Sequence, residues 1–86
     1  MVKSLHSRQY TIFRELLTQA REDVGMTQVQ VAAKLGKPQS YVSKYESGDR
    51  RLDVTEFVQI ADILSLDISS FLDHYRVKAE TFNSPI

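Results

Sequence analysis

TQVQVAAKLGKPQSYVSKYESG, residues 27–48, decides how this chain folds. Thr27 with Gln30 fits a capping box, in which hydroxyl and amide each satisfy a backbone group at a helix start. Val31, Ala32 and Leu35 follow at helical spacing and make an inner face. Gly36 suits the left-handed conformation that stops a helix, Pro38 suits the first turn of the next, and Gly48 closes that one. On a wheel of about 100° per residue, Val42 and Tyr45 share one side of the second helix. Ser40, Ser43, Lys44 and Ser47 occupy the opposite side, with Gln39 and Tyr41 on the flanks. Serine competes for backbone hydrogen bonds, so three serines on a merely solvated face would weaken the helix for no structural return. Short side chains do let a helix axis come close to a partner, and serine, glutamine and lysine can donate to base edges or phosphates.

By length and turn chemistry the two helices form a helix-turn-helix, with small Ala32 where they cross. Outward from it the apolar spacing stays helical, and no stretch alternates long enough to predict a strand. Ile12, Phe13, Leu16, Leu17, Ala20 and Val24 predict a first helix that Ser7 caps and Gly25 ends. Asp53 and Glu56 open a fourth, with Val54, Phe57, Val58, Ala61 and Leu64 on its buried side. Asp67 caps a short fifth helix carrying Ile68, Phe71 and Leu72 inward. From about His74 the chain runs to Asn-Ser-Pro-Ile, which breaks a helix, and this end is expected to fray. The fold class is all-α: one bundle of five short helices.

Composition narrows the function. The chain has 86 residues, enough for one domain, and no cysteine, which excludes disulfides, thiolate metal sites and a cysteine nucleophile. No signal peptide or membrane span is legible, so a cytoplasmic protein is the expectation. The balanced charge is unevenly spread: residues 27–51 hold five basic residues against two acidic, whereas residues 52–86 hold two against six. A small basic surface on a neutral body suits local phosphate contact. His6 and His74 lie near the ends with no carboxylate or nucleophile at a motif spacing, so no catalytic residue, metal ligand or cofactor is assigned.

The stretch RxxxGMTQxQVAAKLGKPQSYVSKYESGxRRLDVxEF, residues 21–57, resembles the phage-repressor and Cro-type helix-turn-helix family, also called XRE-like. The resemblance covers about residues 8–73, leaving an N-terminal extension (residues 1–7) and a C-terminal tail (residues 74–86). It implies a five-helix, lambda-repressor-like domain that binds double-stranded DNA as a homodimer and regulates transcription, most simply as a repressor. Position by position, it implies base reading by Gln39, Ser40, Ser43 and Lys44. Phosphate contacts are implied for Gln28, Tyr41, Arg50 and Arg51, the first helped by the N–H groups of its helix start. Serine at two reading positions departs from glutamine-rich members and leaves the base code open. The resemblance also pairs Arg21 with Glu46, which lies toward the core side of its helix.

Leu66, Ile68, Phe71 and Leu72 supply more apolar area than one short helix needs for its own core, so they are expected to form the homodimer interface. The same fold also serves in antitoxins, where a tail wraps a protein partner. HYRVKAETFNSPI, residues 74–86, is the candidate arm for that alternative.

Overall fold

The computed structural model describes residues 7–83, which form five α-helices: α1 (Arg8–Asp23), α2 (Gln28–Leu35), α3 (Gln39–Ser47), α4 (Val54–Ile63) and α5 (Ile68–Asn83). Local chemistry sets the helix starts. Ser7 Oγ accepts from the Tyr10 backbone N–H, and Asp67 Oδ1 accepts from that of Ser70. Complete capping boxes open α2 (Thr27 with Gln30) and α4 (Asp53 with Glu56), satisfying donors that a helix start would otherwise leave orphaned. Pro38 stands one position before α3, as its N-cap, with φ of −71°.

The core is continuous across the helices. Leu17, Val31, Val42, Tyr45 and Ile60 are fully buried, and Phe57 and Phe71 lie beside them. Phe13 meets Phe57 edge-on at 5.3 Å and Phe71 at 5.9 Å between ring centroids, tying α1, α4 and α5 through aromatic contacts. α2 packs on α3 and α4, and α1 packs on α3 and α5.

Several sequence expectations need correction. The fifth helix is not short, and its end is not frayed at His74: α5 runs 16 residues to Asn83, and Ala79 is buried in its second half. Ser84 and Pro85, which disfavour continuation, lie outside the described residues, as do residues 1–6 of the N-terminal extension. Val24, Val54 and Val58 are exposed. Val24 is the C-cap of α1, Val54 is the first residue of α4, and Val58 lies about 100° round α4 from buried Phe57. Phe71, expected at a dimer interface, belongs to the monomer's own core.

α3 is pinned by polar contacts as well as by packing. Arg21 donates from Nε and NH2 to the two Glu46 carboxylate oxygens, at 2.7 and 3.0 Å, joining α1 to α3. Its NH1 holds the Met26 carbonyl at 2.8 Å, in the loop before α2. The pair raises the Arg21 guanidinium above its ordinary value, chiefly through the hydrogen bond with Glu46. Arg14 adds a cation at the α3 C-terminus, donating from NH1 to the Glu46 carbonyl at 2.8 Å. It lies across Gly48, which closes α3 at φ +95°. A Cβ at Gly48 would sit 3.0 Å from Arg14 Nε, so a side chain there would strain the left-handed backbone and push against the Arg14 guanidinium.

Only 12% of the Arg21 side chain and 7% of the Glu46 side chain is exposed, so removing one partner strands the other in a nearly dry site. Arg21→Met is expected to cost about 3–5 kcal/mol in urea denaturation. An unchanged midpoint would show that the pair contributes nothing to holding α3.

Candidate nucleic-acid interface

The outer face of α3 is built by the residues that do not pack. Val42 and Tyr45 turn fully inward, so Gln39, Ser40, Ser43, Lys44 and Ser47 are all turned to solvent. Burial pushes the Tyr45 phenol far up, so it stays protonated and adds no charge beneath the exposed face. The four expected reading residues therefore lie together on one exposed helical surface. Ser47 differs: its hydroxyl donates to the Lys44 carbonyl at 3.2 Å and accepts from the Asp49 N–H at 3.4 Å, closing the helix end.

The start of α2 meets the start of α3 through side chains. Gln28 Nε2 donates to Glu46 Oε1 at 2.8 Å, and Gln28 Oε1 accepts from Gln39 Nε2 at 3.2 Å. An amide nitrogen carries two hydrogens, so Gln28 retains one N–H for an outside acceptor such as a phosphate. The two helix starts are thus joined at the surface where the expected reading residues begin.

On the far side of α3 the basic residues are more engaged than their sequence positions suggest. Arg50, expected to offer its guanidinium to phosphate, donates to both Glu56 oxygens, at 3.2 and 2.8 Å, and to the Arg51 carbonyl at 3.1 Å. The guanidinium also lies 4.7 Å from the Tyr41 ring centroid, and Lys37 Nζ lies 5.2 Å from the same ring. Burial and the Glu56 carboxylate raise the Tyr41 phenol. A phosphate contact here would share Tyr41 and Arg50 with Glu56. Arg51 is exposed and rests 4.1 Å from the Tyr10 ring centroid, while the Tyr10 hydroxyl accepts from the Leu52 N–H at 3.2 Å. These contacts fix the loop between α3 and α4 against α1.

Residue types alone did not reveal three of these features: exposed Lys37 in the turn, the Arg50–Glu56 pair and the Gln28–Gln39 bridge. The first had a signal, since a lysine between Gly36 and Pro38 adjoins α3. The hydrophobic residues expected at a second interface are divided. Leu66 and Ile68 are half-buried against the core, Phe71 is inside it, and Leu72 is 38% exposed. Farther along α5, Val77 is 61% exposed. Among the described residues no group of histidine, cysteine, aspartate or glutamate is placed to hold a metal ion, and no helix is long and apolar enough to cross a membrane.

A sequence profile of the helix-turn-helix family matches residues 17–71. Among solved structures, the chain is similar to an XRE-family-like protein from Pseudomonas syringae pv. tomato str. DC3000. The two share 39% identity with a TM-score of 0.79, covering 87% of this chain and 92% of that one. It is also similar in fold to a point mutant of the restriction-modification controller protein C.Esp1396I, at 22% identity and a TM-score of 0.78, covering 85% and 97%. No curated protein matches the chain.

The Arg50–Glu56 pair gives this surface a pH signature. Hydrogen bonds from Arg50 and from the Asp53 N–H pull the Glu56 carboxyl down from 4.5 to about 2. A depressed carboxylate stabilises the fold fully above its unfolded value, and that contribution fades as pH falls through the folded one. The stability difference between wild type and Glu56→Gln is therefore expected to be constant above pH 4.5 and to close between 4.5 and about 2, as read by urea titrations. A difference that does not change across this range would mean that Glu56 is not ion-paired in solution.

Proposed function

Because the chain belongs to the XRE-like helix-turn-helix family of DNA-binding transcription regulators, we propose that it is a repressor that binds an inverted-repeat operator as a homodimer. The observation that carries this is the outer face of α3. Gln39, Ser40, Ser43 and Lys44 are exposed side by side on a helix whose other face is locked into the core. The major groove of B-DNA is wide enough to admit an α-helix, and these residues are donors or acceptors matched to base edges. Lys44 suits guanine O6 and N7, while Ser40 and Ser43 suit several bases.

Around that face, Gln28, Tyr41, Arg50 and Arg51 take the phosphate backbone. For Gln28 the remaining amide N–H and the α2 backbone N–H groups supply donors. For Arg50 the contact is shared with Glu56. Such contacts raise affinity for every sequence and set the docking register.

A single recognition helix offers little contact for tight specific binding, which favours two copies on one site. Leu66, Ile68 and Leu72 are only partly covered and border the solvent. We assign the self-association surface to these residues, with Phe71 withdrawn to the core. Two-fold symmetry then requires half-sites about 10–10.5 base pairs apart, centre to centre, so that both helices meet one face of the duplex.

Selection from a randomised duplex pool is expected to enrich an inverted repeat with that spacing. Recovery of no shared sequence would contradict sequence-specific binding, and a single unrepeated motif would contradict the dimer. On the enriched duplex Lys44→Ala is expected to lose about 1–3 kcal/mol and to relax preference at one base pair per half-site. Arg51→Ala should weaken enriched and scrambled duplexes alike and flatten the salt dependence of log affinity by about 1 per lost contact. Equal losses by Lys44→Ala on both duplexes would reassign Lys44 to the phosphate backbone.

A further inference from the structure

The Arg50–Glu56 pair uses only part of what a guanidinium offers. The group is planar and carries five N–H bonds, one on Nε and two each on NH1 and NH2. NH1 donates to the Arg51 carbonyl at 3.1 Å and to Glu56 Oε1 at 3.2 Å, and NH2 donates to Glu56 Oε2 at 2.8 Å. Glu56 therefore takes the end of the fork, where NH1 and NH2 lie side by side. The two N–H bonds left over, on Nε and NH2, share the neighbouring edge, and neither has a partner among the described residues. Arg21 holds both Glu46 oxygens with this same pair of atoms, at 2.7 and 3.0 Å, so the edge fits a two-oxygen anion. The Arg50 side chain is 39% exposed, which leaves it within reach of one.

Arg50 is also held still. Glu56 is itself fixed at the start of α4, where Oε1 accepts the Asp53 N–H at 2.9 Å and closes the capping box. The Tyr41 ring, on α3, backs the guanidinium at 4.7 Å from Cζ to the ring centroid. The start of α4, the loop backbone at Arg51 and a ring of α3 together fix one plane. A side chain restrained in this way loses little further freedom on binding, whereas a swinging one gives up its rotamer entropy.

Resting on the phosphate-backbone role of Arg50 proposed above, we propose that Glu56 is a positioning residue for DNA specificity, holding Arg50 by its end so that the Nε–NH2 edge receives a phosphate in one register only. On the operator, base contacts set that register, and the phosphate meets a fork already in place. On unrelated sequences the protein slides along the duplex, phosphates miss the fixed edge, and the Glu56 carboxylate repels them. The same pair favours the operator and disfavours other DNA. Glu56 does this without touching the duplex.

The test compares affinity for the duplex that wild-type protein enriches from a randomised pool with affinity for a scrambled duplex. In Glu56→Gln the capping box keeps the amide oxygen on the Asp53 N–H, which sets the amide NH2 against Arg50 NH2, donor against donor, and releases the arginine. The enriched-to-scrambled affinity ratio is expected to fall about three- to tenfold, with the scrambled duplex bound more tightly and with a steeper salt dependence. In an Arg50→Ala background, Glu56→Gln is expected to leave the ratio unchanged. An equal fall in both backgrounds would show that Glu56 acts through its own charge or through the α4 cap, and would overturn the proposal. An unchanged ratio in Glu56→Gln itself would also overturn it. Arg50→Lys keeps the charge but has a single ammonium in place of two edges, so its ratio is expected to fall as well. It decides the matter if Glu56→Gln does not fold, and an unchanged ratio there would overturn the proposal. Each of these results leaves DNA reading by α3 intact. Failure of the wild-type protein to enrich any sequence would overturn the DNA-reading assignment and this proposal with it.

Discussion

The contact between Arg21 and Glu46 is the constraint on which the rest of the structure depends. A helix whose outer face must stay free for a partner can be held from one side only. Val42 and Tyr45 give α3 a narrow apolar seam of two fully buried residues. On its own such a seam leaves room for a short helix to roll. The two-pronged ion pair, nearly excluded from water, fixes the rotation of α3 against α1, because an Arg fork bonds both carboxylate oxygens only in one geometry. Arg14, on the same helix as Arg21, grips the last turn of α3 through the Glu46 carbonyl. Two arginines of α1 thus address the side chain and the backbone of a single residue.

This arrangement joins the interior to the surface. Glu46 serves Arg21 in the interior and Gln28 toward the surface, so the group that sets the helix also sets the amides at its start. On the opposite flank a second ion pair, Arg50–Glu56, shares Glu56 with the capping box of α4. The loop between α3 and α4 is consequently ordered by the start of the following helix. Charged groups flanking α3 are placed by one another, not scattered over a solvated surface.

Much of the fold was legible because its signals are local. Thr27 with Gln30, and Asp53 with Glu56, mark helix starts within four residues, and Gly36 and Gly48 mark ends. The inward direction of Val42 and Tyr45 followed from helical periodicity alone. The length of α5 was not legible: the chain from about His74 was expected to fray toward Asn-Ser-Pro-Ile, whereas Ala79 packs and the helix persists to Asn83, just before that Ser-Pro pair. The end of α4 also lacked the usual glycine: Ser65 takes the left-handed conformation there, with φ of 54°. Within the site, the exposed residues of α3 were legible as a face, and the Arg21–Glu46 pair only through family resemblance. The Arg14 contact with Glu46 spans 32 positions and the Gln28–Gln39 bridge spans 11, and no periodicity encodes which side chains meet across such distances. Arg50 shows the limit of residue type: its basic character did not signal that its guanidinium also bonds Glu56.

The central claim is that the serine–lysine face of α3, held by α1, is the surface that meets DNA. The most direct measurement is a nuclear magnetic resonance titration of isotope-labelled protein with the duplex it selects. Backbone and side-chain amide shifts are expected to concentrate on Gln28 and on residues 39–44, with the buried Tyr45 side of α3 little changed. A footprint centred instead on α5, with residues 39–44 unmoved, would contradict the account.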